Sequence, residues 1–310
     1  MRSLFLTFQK RSRLAVFYNA FFLCVVSLML FLTPKAMAGE QIFGYTYTTD
    51  TLPKNKWELE QWYWGRYGKI HGVYANSVYR TELEYGVTDN YQVAFYTNEK
   101  HVYANNNNRD RTTGGEGVPD AASPDKRFNG LTWEGISFEQ VYRFLSPYKD
   151  PLGAALYFES SFGPDSIELE PKILLQKNFM EDRLVAAYNF VWELEWEKEM
   201  EDVWATESAF ENDLGISYRF APRWWAGLEF RNNQKVGSFN LKDLENSAFF
   251  LGPNIHYGGD RFWTSATVLF QLPFAVGYTE EQRLAKKEGR FYGNEFESVE
   301  FRLKVGCAFG

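Results

Sequence analysis

Apolar and polar residues alternate one by one between residues 184 and 197. Leu184, Ala186, Tyr188, Phe190, Trp192, Leu194 and Trp196 occupy one register, while Asn189, Glu193, Glu195 and Glu197 share the other with Val185, Ala187 and Val191. A period of two marks an extended strand with one greasy and one polar face. The run is long for a strand: soluble proteins favour about five or six residues, whereas a tilted strand needs about nine to eleven to cross a bilayer. The same pattern recurs over residues 79–87, 167–176, 210–220 and 298–309, with Pro171 as a defect on the apolar row of the second. Weaker alternation near 57–67, 91–103, 137–145, 152–162, 224–232, 248–257 and 262–272 brings the expected total to about twelve, an even number as bacterial barrels have.

The segments between these runs carry turn chemistry. Connections at 88–90, 146–151, 180–183, 221–223 and 258–260 are short and rich in Pro, Gly, Asp or Asn, as tight turns require. The intervening ones include 104–130 and 273–294, too long for hairpin loops. Short turns on one side and longer loops on the other are the arrangement of an outer-membrane barrel, with the short turns in the periplasm. Strand edges cannot be left unpaired in lipid, so the last strand is expected to pair with the first. The expected fold is therefore all-β, a single closed antiparallel transmembrane β-barrel over residues 57–310, preceded by a periplasmic lead-in over 39–56.

The N-terminus changes what the totals mean. A basic start with Arg2, Lys10, Arg11 and Arg13 leads into an apolar run over 14–32 and then Ala36-Met37-Ala38. That order predicts a secretory signal peptide over residues 1–38, cleaved near Ala38, and hence export toward the outer membrane. Phe22 and Leu23 ahead of Cys24 are too bulky for a lipoprotein processing site. Loss of the leader removes basic residues and no acidic ones, so the formal charge of −7 becomes more negative still. An acidic chain argues against nucleic acid as a partner. Only Cys307 would remain, so no internal disulfide holds the exported chain. No later apolar run is long enough for a spanning helix. The aromatic content of 18% suits the interfacial girdles of a barrel. Expected partners are outer-membrane lipid, the barrel assembly machinery and a small-molecule solute. One feature departs from the usual barrel ending: Phe309 is followed by Gly310.

Three stretches resemble a family of uncharacterised bacterial outer-membrane barrel proteins, grouped as a domain of unknown function. They are Arg80-Thr81-Glu82-Leu83-Glu84-Tyr85-Gly86, LLQKNFMEDRLVAA over 174–187, and FLGPNIHYG over 250–258. The resemblance covers most of the chain beyond the leader and implies location and fold, with no activity. The architecture is also loosely similar to barrels linked to aromatic-compound degradation pathways, which have been proposed as uptake channels.

Alternation places a charged row inside the expected barrel. Its acidic members are Glu82, Glu84, Glu139, Glu168, Glu170, Glu193, Glu195, Glu211, Asp213, Glu229 and Glu300. Its basic members are Arg80, Arg143, Lys172, Arg219, Arg231, Arg302 and Lys304. This lining suits a cross-strand charge ladder that stabilises a water-containing or plugged lumen. The sharper reading is a selectivity lining, which with acids in excess favours cations or neutral solutes. The function expected first is a channel for small solutes. The alternative is a structural or interaction barrel with a plugged lumen, and a lipid-modifying or hydrolytic enzyme comes third.

Catalytic chemistry finds little purchase. His71, His101 and His256 are the only histidines, and His256 shares a face with Asn254 without a recognisable nucleophile motif beside it. Cys307 is alone, on the lipid-facing register, and no His or Cys pair has metal-ligand spacing. Glu116, Glu280 and Glu281 match no calcium loop, and Gly114-Gly115-Glu116-Gly117 reads as flexible connection rather than a phosphate loop. No enzyme activity, cofactor or metal is expected.

Overall fold

Strands of this length carry long rows of backbone N–H and C=O groups, which lipid cannot satisfy unless every edge is paired. The computed structural model describes residues 41–119, 122–198, 203–239, 244–260, 262–274, 280–287 and 296–309. The pairing is met by twelve antiparallel strands in one closed barrel. They are β1 (Trp57–Tyr67), β2 (Val73–Thr88), β3 (Tyr91–Asn105), β4 (Phe128–Leu145), β5 (Gly153–Phe162) and β6 (Ser166–Phe179). The circuit continues with β7 (Leu184–Lys198), β8 (Trp204–Ala221), β9 (Trp224–Val236), β10 (Leu244–Gly258), β11 (Trp263–Gln271) and β12 (Val299–Phe309). Each strand pairs with its neighbours in sequence, and β1 closes on β12 from Trp57↔Phe309 to Tyr67↔Val299. The expected signal peptide lies outside the described residues.

The two faces separate as the alternation requires. Leu83, Phe95, Leu156, Ile173, Ile216, Leu228, Ile255 and Phe270 all point outward and are at least 40% exposed. An apolar band of that extent is stable only against lipid. Cross-strand aromatic pairs mark its lower rim: Trp57 with Tyr85, Tyr91 with Tyr142, and Trp224 with Tyr257, with ring centroids 4.5, 6.4 and 4.9 Å apart. Cys307 keeps the outward register but is buried beside Val305, Leu59 and Leu303.

Turns at that rim are short. Met180, Glu181 and Asp182 take positive φ between β6 and β7, and Arg223 does so between β8 and β9. The opposite rim is uneven: residues 106–127 join β3 to β4, but 163–165 suffice between β5 and β6. An eight-residue helix, α1 (Glu280–Lys287), occupies part of the long β11–β12 connection, where only loop was expected.

The lead-in expected over 39–56 is corrected by the structure. Its described part does not hang beneath the barrel, because residues 41–52 lie inside the lumen, with Phe43, Tyr45, Tyr47 and Leu52 each buried. Burying such side chains is worth about 1.5–3 kcal/mol apiece relative to leaving them in water. The segment enters the wall at Gly86, where Asn55 N–H donates to the Gly86 carbonyl at 2.7 Å and Gly86 N–H to the Lys56 carbonyl at 2.9 Å. A Cβ on Gly86 would stand 2.2 Å from the Pro53 carbonyl oxygen, so only glycine permits this crossing.

Candidate functional site in the barrel lumen

Residues 41–52 form a belt across the half of the lumen nearer the short turns, held by inward side chains from strand after strand. Ser265 on β11 donates to the Gln41 carbonyl, and Asn254 on β10 to that of Ile42 at 2.8 Å. Glu229 on β9 accepts from the N–H groups of Gly44, Tyr45 and Thr46 at 2.8, 2.8 and 2.9 Å. Asn189 on β7 grips Tyr47 twice, accepting from its N–H at 2.6 Å and donating to its carbonyl at 2.9 Å. Gln176 on β6 accepts from Thr49, and Gln92 on β3 from the Leu52 N–H at 2.8 Å. An irregular segment in a buried setting needs external partners for its backbone, and short amide side chains supply them here. Phe43 fills a niche formed by Val185, Ala187 and Trp225, over Gly215.

The upper side of the belt meets a layer of cations and rings. The Arg302 guanidinium lies 4.1 Å from the Tyr45 ring centroid and 4.5 Å from that of Trp64. Lys304 Nζ stands 3.7 Å from Trp62, and Lys172 Nζ 4.2 Å from Tyr157. Arg231 bridges β8 and β12 through Glu211 at 2.5 Å and Glu300 at 2.7 Å, with Asp213 at 3.7 Å. Arg80 pairs with Glu159 at 3.4 Å and Lys172 with Glu170 at 2.8 Å. These buried cations thus have counterions or ring faces, as their desolvation demands.

Toward the long-loop end the lining loosens. Glu168, Glu170, Glu193, Glu195 and Glu211 are only partly buried, and Glu197 and Glu207 are exposed. The β3–β4 loop folds inward here. Val118 packs on the lumen faces of Tyr74, Val102 and Ala104, and Arg66 binds both Glu116 carboxylate oxygens at 2.7 and 2.5 Å. Burial pushes the Glu116 carboxyl up, but Arg66 and then Lys100 outweigh it and hold the group well below the usual carboxylate range. The guanidinium decides because the side chain keeps 39% exposure.

The structure places the expected lining residues on the inward face, at different depths. Glu82, Glu84, Glu139, Asp213, Glu229, Arg231, Glu300, Arg302 and Lys304 are buried at or near the belt. Arg143 and Arg219 lie at the short-turn rim, the first donating to the Asp89 carbonyl at 2.7 Å, the second stacked over Trp225 at 5.5 Å. Sequence reasoning missed Glu58 and Glu60, because β1 carries aromatics in both registers and hides its alternation. Asn189 and Gln176 stand on the polar rows of their strands, but neither they nor Gln92 were singled out as lining residues, because neutral side chains give no charge signal. A signal for the belt did exist: Phe43, Tyr45 and Tyr47 are an unusual concentration of rings for a solvated lead-in.

His256 has a serine beside it after all, across the β10–β11 pair. Its Nδ1 lies 2.7 Å from Ser265 Oγ. Ser265 directs its own proton to the Gln41 carbonyl, so the imidazole nitrogen is the donor to serine. A serine nucleophile needs the reverse polarity. Both residues are buried beneath the belt.

The sequence matches a family of unknown function (DUF6662) over residues 35–309. No curated protein matches the chain. Among solved structures, an outer membrane channel from Pseudomonas putida F1 is similar at 12% identity and a TM-score of 0.53, over 84% of this chain and 97% of that one. The NanC porin is similar at 10% identity and a TM-score of 0.47, over 81% and 99%. The KdgM porin in complex with disordered oligogalacturonate is similar at 9% identity and a TM-score of 0.44, over 82% and 99%. The first of these shares the closed-barrel fold.

Proposed function

We propose that the chain, which belongs to the family of unknown function DUF6662, is an outer-membrane channel for small solutes, closed on its periplasmic side by residues 41–52. The observation that carries this reading is the change of exposure along one continuous polar lining. Glu116 and Glu134 near the mouth keep side-chain exposures of 39% and 29%, whereas Glu229 at the belt keeps 1%. Water reaches down an acid-lined vestibule and stops where the belt begins. Signal cleavage near Ala38 belongs to the same reading, since it leaves the belt close to a free chain end able to withdraw toward the periplasm. That the Pseudomonas putida F1 neighbour is an outer membrane channel is in keeping with it.

A second reading, a permanently sealed barrel that acts through its outer loops, draws on the number of bonds that hold the belt. Under either reading His256 is a structural residue and the protein is not an enzyme. Proteoliposome swelling separates the two. Replacing residues 41–52 by a Gly-Ser linker should let neutral and cationic solutes enter faster than anionic ones of equal size, because acidic groups dominate the vestibule. Absence of swelling with both the native and the belt-replaced protein would leave only the sealed barrel.

A further inference from the structure

At the periplasmic end of the lumen, β1 and β2 set carboxylates directly opposite each other twice in succession, Glu58 against Glu84 and Glu60 against Glu82. All four are buried, none more than 4% exposed. Like charges on facing strand positions repel, and buried carboxylates are costly without a counter-charge. Glu159, Glu170, Glu211 and Glu300 meet that need with Arg80, Lys172 or Arg231, and Glu229 meets it with backbone N–H groups. Among the described residues, Glu60, Glu82 and Glu84 have no Lys or Arg within ion-pair distance, and the nearby Lys304 Nζ is seated on the Trp62 ring.

The carboxylates are nevertheless held in place. Trp263 Nε1 donates to Glu58 Oε1 at 3.0 Å, Trp62 Nε1 to Glu60 Oε2 at 2.6 Å, and Gln92 Nε2 to Glu84 Oε2 at 2.9 Å. One oxygen from each of Glu58, Glu60 and Glu84 lies within 4.8 Å of the other two. Glu82, which is not one of the three, supplies an independent pointer. It is 1% exposed, faces Glu60 across the ladder, and neither of its oxygens accepts a hydrogen bond. Oriented ligands turned to a common centre, with an unsatisfied buried carboxylate beside them, describe a cation cavity rather than a charge ladder.

We propose that Glu58, Glu60 and Glu84, with Glu82 beside them, form the site of a hard divalent cation, with calcium the best fit. The donor set is all oxygen, without His or Cys, which excludes the softer transition metals as preferred occupants. Calcium–oxygen distances of about 2.3–2.6 Å put opposite ligands about 4.6–5.2 Å apart, a span that accommodates the observed cluster, whereas magnesium demands a tighter octahedron and keeps several waters. The bound ion would clamp the β1–β2 pair next to the closing seam with β12. It would also reach the belt, because the Gln92 that orients Glu84 also accepts from Leu52 N–H. The second carboxylate trio, Glu168, Glu170 and Glu193, lies in the half-exposed vestibule and already holds Lys172.

Terbium luminescence tests the site on the folded full chain in detergent, since Trp62 and Trp263 donate directly to two of the ligands and serve as antennae. Excitation of tryptophan should give saturable terbium emission that excess calcium reverses. Affinity should fall at least about tenfold in Glu84→Gln and stay unchanged in Glu168→Gln. No sensitised emission, or an identical titration in Glu84→Gln, overturns the proposal. If Glu84→Gln does not fold, the native barrel decides. Its unfolding midpoint should rise in calcium over chelator. A midpoint indifferent to calcium overturns the proposal as well.

Discussion

At position 229 one carboxylate receives three consecutive backbone N–H groups, those of Gly44, Tyr45 and Thr46, and the Thr267 hydroxyl at 2.6 Å. Successive N–H groups converging on an anion form a nest, and each bond to a charged acceptor is worth about 1.5–3 kcal/mol net. Glu229→Gln keeps the shape but replaces one acceptor by a donor that faces N–H groups. The expected loss is about 3 kcal/mol in holding the belt, which is about a hundredfold faster amide exchange at residues 44–46 with little change in the strands. Unchanged exchange would mean that the belt is held elsewhere. At this scale the sequence was informative about charge and silent about partners. Glu229 was legible as an inward acid, but alternation could not say that its partner is the N-terminal backbone rather than a neighbouring Arg.

Among the elements, the strands were the most legible part, because a period of two over more than nine residues has one physical solution. β7 was expected over 184–197 and is Leu184–Lys198. β1 was the weakest, since Trp57, Tyr63 and Tyr67 face outward while Trp62 and Trp64 face the lumen, so hydrophobicity carries no period. The belt was misplaced for a related reason: it has neither helix nor strand periodicity and is ordered only by long-range contacts. Its docking can be broken at one glycine. A Cβ on Gly215 would stand 2.7 Å from the Phe43 ring, with no backbone movement available in a paired strand. Gly215→Val should therefore expel Phe43 and open the segment to chymotrypsin at Phe43, Tyr45 and Tyr47. The barrel itself should remain folded, judged by its heat-modifiable migration. Continued resistance to cleavage would contradict the packing described.

For the molecule as a whole, closure of the barrel followed from lipid physics and from the strand count, but the content of the lumen did not. A charged inward face is compatible with an open pore and with a filled one, and only the contacts of residues 41–52 distinguish them. The central claim is that this belt is the gate. A disulfide between belt and wall tests it most directly, in a chain with Cys307→Ser. An added Cβ at Gly153 would lie 2.6 Å from Thr49 Oγ1, near where a Thr49→Cys sulfur would sit, so Thr49→Cys with Gly153→Cys approaches bonding geometry. In single-channel recordings the oxidised protein should stay closed, and addition of reductant on the periplasmic side should produce openings. Equal conductance in the oxidised and reduced states would contradict the account.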